Sequence, residues 1–115
     1  PESTSKVVIN SKTGTVVIGD NVRLLPVAIT HGSISIKIEG GESSLHKNVY
    51  IFDAEKPAEI QVKEDSSDIH FVKPDNSLSS LVDALNEVGV KTKELISILQ
   101  AMEEAGALVA TIEVI

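Results

Sequence analysis

Residues 77–115 read SLSSLVDALNEVGVKTKELISILQAMEEAGALVATIEVI, and this stretch decides the fold. Leu78, Leu81, Val82, Leu85 and Val88 recur at i, i+3, i+4, i+7 and i+10, one narrow apolar stripe at helical period. Asn76-Ser77 offers an N-cap, because a short polar side chain can accept an orphan N–H of the first turn. Gly89 stands where a left-handed residue would stop that helix. Thr92 is positioned to cap a second helix with the stripe Leu95, Ile98, Leu99, Met102 and Ala105, ended by Gly106. The spacing therefore predicts helices over about 78–88 and 93–105, joined as a tight αα-hairpin. A final strand over about 108–115 follows, with Leu108, Ala110, Ile112 and Val114 on one face.

Working outward, the chain before Pro74 has strand character, over about 7–73. Val7-Val8-Ile9 and Thr15-Val16-Val17-Ile18 are β-branched runs around Asn10-Ser11-Lys12-Thr13-Gly14. That pattern reads as a hairpin with a loop of about five residues. The run from Val22 to Thr30 is interrupted by Pro26, which cannot donate to a ladder and belongs at an edge or a bulge. Ile34, Ile36 and Ile38 alternate with Ser35, Lys37 and Glu39, so one face is buried and the other wet. Gly40 to Ser44 reads as a loop, and Val49–Phe52, Glu59–Lys63 and Asp68–Lys73 as further short strands. The fold class expected is α+β. A β-rich first two-thirds precedes an αα-hairpin that packs on a mixed or antiparallel sheet closed by the C-terminal strand.

The 115 residues suit a single domain, 1–115, and a chain of this size buries a core without disulfides or metal. A hydrophobic share of 42% excludes a disordered tail. Ten Lys and Arg against seventeen Asp and Glu give a net charge of −7, the wrong sign for phosphate backbones, so no nucleic acid is expected as partner. Residues 74–115 hold two basic and seven acidic side chains, so the acidity is concentrated there. No run of 18 apolar residues exists, and no membrane insertion is expected. A start at Pro1 without Met, and without a signal peptide, leads us to expect a mature protein or an excised piece.

Motifs that would carry chemistry are weak. Ser11-Lys12-Thr13-Gly14-Thr15 is similar to the phosphorylation motif of P-type ATPases, but Ser11 stands where the acyl-phosphate needs Asp, so the reading is a hairpin turn. His31, His46 and His70 lie too far apart for a local metal site and have no cysteine to help them. No Gly-x-Ser-x-Gly elbow and no glycine-rich phosphate loop occurs. Glu103-Glu104 and Glu64-Asp65 are sequence neighbours that point apart, the pattern of solvated surface. Tyr50 and Phe52 share a strand face, which suits packing better than a sugar-stacking platform. No catalytic residue, metal or cofactor is expected.

Two blocks carry a family resemblance. The first is Val7-Val8-Ile9-Asn10, Thr13 to Gly19, Val22-Arg23 and Pro26-Val27-Ala28-Ile29-Thr30-His31-Gly32. The second is Leu81-Val82-Asp83-Ala84-Leu85-Asn86, Gly89, Glu94 to Ala101 and Ala105-Gly106-Ala107-Leu108. Together they resemble the C-terminal portion of the bacterial flagellar P-ring protein family, and nothing is carried across residues 40–72. The resemblance implies a structural, non-catalytic subunit domain of the periplasmic P ring. That ring surrounds the rod of the flagellar basal body as part of a bushing. Implied partners are neighbouring P-ring subunits, the L-ring protein, the rod and peptidoglycan, and a fragment of this size is expected to be monomeric alone. The competing class is a periplasmic binding module for peptidoglycan or another envelope protein. For the binding module the expected contact region is Tyr50, Phe52 and the Gly40–Ser44 loop, and the candidate interaction residues of the chain are Tyr50, Phe52, His31, Asn86 and Gln100.

Overall fold

The computed structural model describes residues 5–40, 48–55, 69–72 and 77–115. Among them are strands β1 (Lys6–Ile9), β2 (Val16–Ile18), β3 (Arg23–Leu24), β4 (Val27–His31), β5 (Ile34–Glu39), β6 (Asn48–Asp53) and β7 (Ile69–Val72). Helices α1 (Ser77–Glu87) and α2 (Thr92–Glu104) follow, and then β8 (Leu108–Val109) and β9 (Thr111–Val114). The expected strand at Glu59–Lys63, nearly all of the expected Gly40–Ser44 loop and the Asn76 cap lie outside the described residues.

Both helices end as their glycines require. Gly89 has φ 97° and Gly106 φ 81°, the left-handed region that other residues enter only at a cost. At the end of α1 the Val90 N–H donates to the Leu85 carbonyl at 3.0 Å and the Gly89 N–H to that of Asn86 at 3.1 Å. At the end of α2, Ala107 and Gly106 donate likewise to Met102 and Glu103. Each pair is a Schellman motif, and the residue after each glycine, Val90 or Ala107, is buried beside the turn it closes. The start of α2 differs from expectation. Thr92 is the first helical residue, and the cap position is Lys91, extended and without a side-chain bond. A Cβ at Gly14 would come within 3.0 Å of the Thr92 Oγ1, so the β1–β2 turn packs closely against the helix start.

The strands form three sheets rather than one. β2-β1-β9 is mixed, β3-β8 is a two-stranded ribbon, and β4-β5-β6-β7 is an antiparallel meander. Pro26 falls between β3 and β4, at the point where the chain leaves the ribbon for the meander. One continuous core joins all three. Val7 and Ile9 of β1, Ile34, Ile36 and Ile38 of β5, and Val49 and Ile51 of β6 are buried with both helix stripes. α1 lies against β3, β6 and β7, whereas α2 lies against β8 and β9. The alternation read in β5 holds, and so do Leu78, Leu81, Val82, Leu85 and Val88. Ala105 departs from the second stripe: it is the C-cap of α2 and is exposed.

The C-terminal strand also departs from expectation, although it does pair with strands of the first 40 residues. It breaks at Ala110 into β8, antiparallel to β3, and β9, parallel to β1. Leu108 is buried and Ala110 and Ile112 are half-buried, but Val114 is 40% exposed. The reason is position: β9 is an edge strand, paired on one side only, to β1. Its end is held by polar bonds instead. The Ile115 N–H donates to the Ile9 carbonyl at 2.8 Å, and the Ser11 N–H and hydroxyl donate to Ile115 at 2.9 and 3.0 Å.

Two outcomes follow for stability. Leu85 and Leu99 are fully buried, so Leu85→Ala or Leu99→Ala should lower the unfolding free energy by about 2–5 kcal/mol in denaturant titrations. A loss below about half a kilocalorie would place both outside the core. Deleting residues 112–115 removes one half-buried and two exposed aliphatics, Glu113 and the edge pairing to β1, so the expected loss is about 1.5–3 kcal/mol with a cooperative melt retained. Complete unfolding of the truncated chain would show that β9 contributes more than its own burial.

Candidate functional site

The meander has a helix-covered face and an open face. On the open face the register aligns Ala28 of β4, Lys37 of β5 and Tyr50 of β6 in one row, and Thr30, Ser35 and Phe52 in the next. Ser35 thus stands beside Phe52 and Lys37 beside Tyr50, with the small Ala28 and Thr30 beyond them on β4. The step in height leaves a shallow depression of about 270 Å³, lined by Ala28, Thr30, Ser35, Lys37, Tyr50 and Phe52. Its walls are almost entirely carbon. The Thr30 and Ser35 hydroxyls face each other at 3.4 Å, and the Lys37 ammonium meets Glu39 at 3.0 Å.

Of the five candidate residues, the structure brings together only Tyr50 and Phe52. His31 is half-buried at the end of β4, paired with Ile34, and so belongs to the opposite, helix-covered face. Asn86 on α1 and Gln100 on α2 are exposed on the helix side. One residue that sequence reading passed over is Asp53, the single buried charged side chain among the described residues. It accepts from the Ser33 hydroxyl at 2.9 Å and from the Glu55 N–H at 2.9 Å. These bonds tie the β4–β5 turn to the end of β6. The signal was available in outline, since a short acidic side chain at a strand end commonly caps its own following turn.

Among the described residues no group of three or more His, Cys, Asp or Glu side chains is placed to hold a metal ion. No described helix is long and apolar enough to cross a membrane. The open face of the meander carries an aromatic pair, small neighbours and one ammonium group.

The chain is similar along its length to known proteins. The family model for the flagellar P-ring protein matches residues 1–114, including the 40–72 stretch from which the sequence resemblance carried nothing. Flagellar P-ring protein 1 of Cereibacter sphaeroides is 38% identical over 123 residues, covering 96% of this chain and 33% of that protein. The flagellar P-ring protein of Geobacter metallireducens is 40% identical over 119 residues, covering 100% of this chain and 33% of its own. That of Bdellovibrio bacteriovorus is 37% identical over 115 residues, covering 100% and 28%. The chain thus spans about a third of the length of the curated relatives it matches.

The polar positions separate by stability. Asn86→Ala and Gln100→Ala should each leave the unfolding free energy within about 0.5 kcal/mol of the parent, as exposed substitutions do. Asp53→Ala strands the Ser33 hydroxyl and the Glu55 N–H, and should cost about 1–3 kcal/mol in the same titration. Equal effects at all three positions would mean that the Asp53 clamp is unimportant.

Proposed function

The chain belongs to the flagellar P-ring protein family, and from that membership we propose that it is a structural, non-catalytic subunit domain of the periplasmic P ring. In this reading the domain forms part of the bushing around the rod of the flagellar basal body. Its partners are neighbouring P-ring subunits, with the L-ring protein, the rod and peptidoglycan as further neighbours. The observation that carries the reading is the family match along residues 1–114. The physics is compatible: one core locks three small sheets into a single unit that can be placed as a block.

The reading has a two-part test. In cells, replacing Leu85 and Leu99 by Ala within the full-length protein should abolish swimming and leave isolated basal bodies without a P ring in electron micrographs. Intact rings and normal motility despite an unfolded domain would overturn it. The chain alone should sediment as a monomer in dilute solution, because closed rings need several heterologous surfaces per subunit and this chain is a third of the relatives' length. A stable ring formed by the chain alone would place the main assembly contacts here.

A further inference from the structure

We propose that the depression beside Tyr50 and Phe52 receives Val17 of a second copy of this chain, in a head-to-tail contact. The inference rests on the ring-subunit reading and names the surfaces involved. Two properties of the depression select its occupant. At about 270 Å³ it is smaller than the roughly 300–1,000 Å³ of small-molecule sites. Its exposed walls are almost all carbon, with the Thr30 and Ser35 hydroxyls turned to each other, so little polar surface is offered to orient a small ligand. An aliphatic side chain from another protein surface suits both facts.

The same chain carries such a side chain. Val17 on β2 is 59% exposed, although its neighbours Val16 and Ile18 pack into the core. The register sets Val17, Val8 and Glu113 in one row across the outer face of the three-stranded sheet. The depression has a row of Ala28, Lys37 and Tyr50. Strands lie ~4.8 Å apart, so Val17 and Glu113 are separated by two strand spacings. Lys37 lines the depression itself, so with Val17 seated Glu113 stands about two strand spacings, ~10 Å, from the lysine's row, a gap that two long side chains can span. Glu113 pairs with Lys6 at 2.8 Å yet stays 48% exposed, and Lys37 is 62% exposed, so both remain able to exchange partners. An apolar bump beside an acid matches an apolar hollow beside a base. Bump and hollow lie on different sheets, so the contact is heterologous, the type that closes into a ring when the rotation allows.

The test is a dilution series of the isotopically labelled chain up to about 1 mM, where a weak millimolar contact becomes populated. Backbone shifts should change with concentration at Val8 and Val17 and around Ala28, Lys37 and Phe52. Val17→Glu and Ala28→Trp should each weaken self-association at least about tenfold. An equimolar mixture of the two should restore one contact, since the intact bump of one variant meets the intact hollow of the other. Lys37→Glu should weaken association and Lys37→Glu with Glu113→Lys should recover it, which provides a second route if Ala28→Trp fails to melt cooperatively. No concentration dependence at about 1 mM, or no restoration by mixing or charge exchange, overturns the contact. Association through other residues overturns it too, but leaves the ring-subunit reading intact, whose failure would appear instead as rings assembled without this domain.

Discussion

The structure depends on the burial of two helix stripes into one shared core. None of the three sheets is large enough to be stable alone. A two-residue ribbon, a three-stranded sheet with two short edge strands and a twisted meander each need a hydrophobic partner. α1 supplies it for the meander and the ribbon, and α2 for the ribbon partner β8 and for β9. Leu81, Leu85, Ile98, Leu99 and Met102 are fully enclosed where the helices meet the sheets. The helical hairpin is thus the joint of the domain rather than a lid on it.

That joint was the part most legible in the sequence. A stripe at i, i+3, i+4 and i+7 reports its buried face directly, and a glycine after it reports its end, because both are local properties. The same holds for Ile34, Ile36 and Ile38. What stayed hidden is non-local. Nothing in Leu108 to Ile115 announces that the chain bends at Ala110 and changes pairing partner. The change is dictated by β3 and β1, which lie in different sheets far back in the chain. Thr92 is the first helical residue rather than a cap, and its hydroxyl sits against the β1–β2 turn, about eighty residues earlier, a contact equally non-local.

The candidate surface was legible only in part. Parity along β6 places Tyr50 and Phe52 on one face, and that much is a one-strand argument. The depression arises because Ala28, Thr30 and Ser35 are small and stand in register with the two rings, which requires knowing two strand pairings. His31, in the same sheet, falls on the opposite face because of that register. A residue's candidacy therefore rested on its neighbours across the ladder more than on its own chemistry.

Charge then decides how such surfaces can be used. Every copy carries a net charge of −7, so copies repel one another at long range. At physiological ionic strength the Debye length is about 8 Å, which confines this repulsion to near approach. Local arrangement then outweighs the total. The ion pairs Lys6–Glu113 and Lys37–Glu39 are half-exposed, and such pairs contribute about 0–1 kcal/mol to a fold. Their greater effect is to hold a base at the rim of one apolar feature and an acid beside another. Drying those rims on contact would strengthen the attraction between unlike charges and penalise any pairing of like ones. In an acidic chain, the proposed head-to-tail contact would therefore draw its selectivity from placing Lys37, freed from Glu39, against a neighbour's acid.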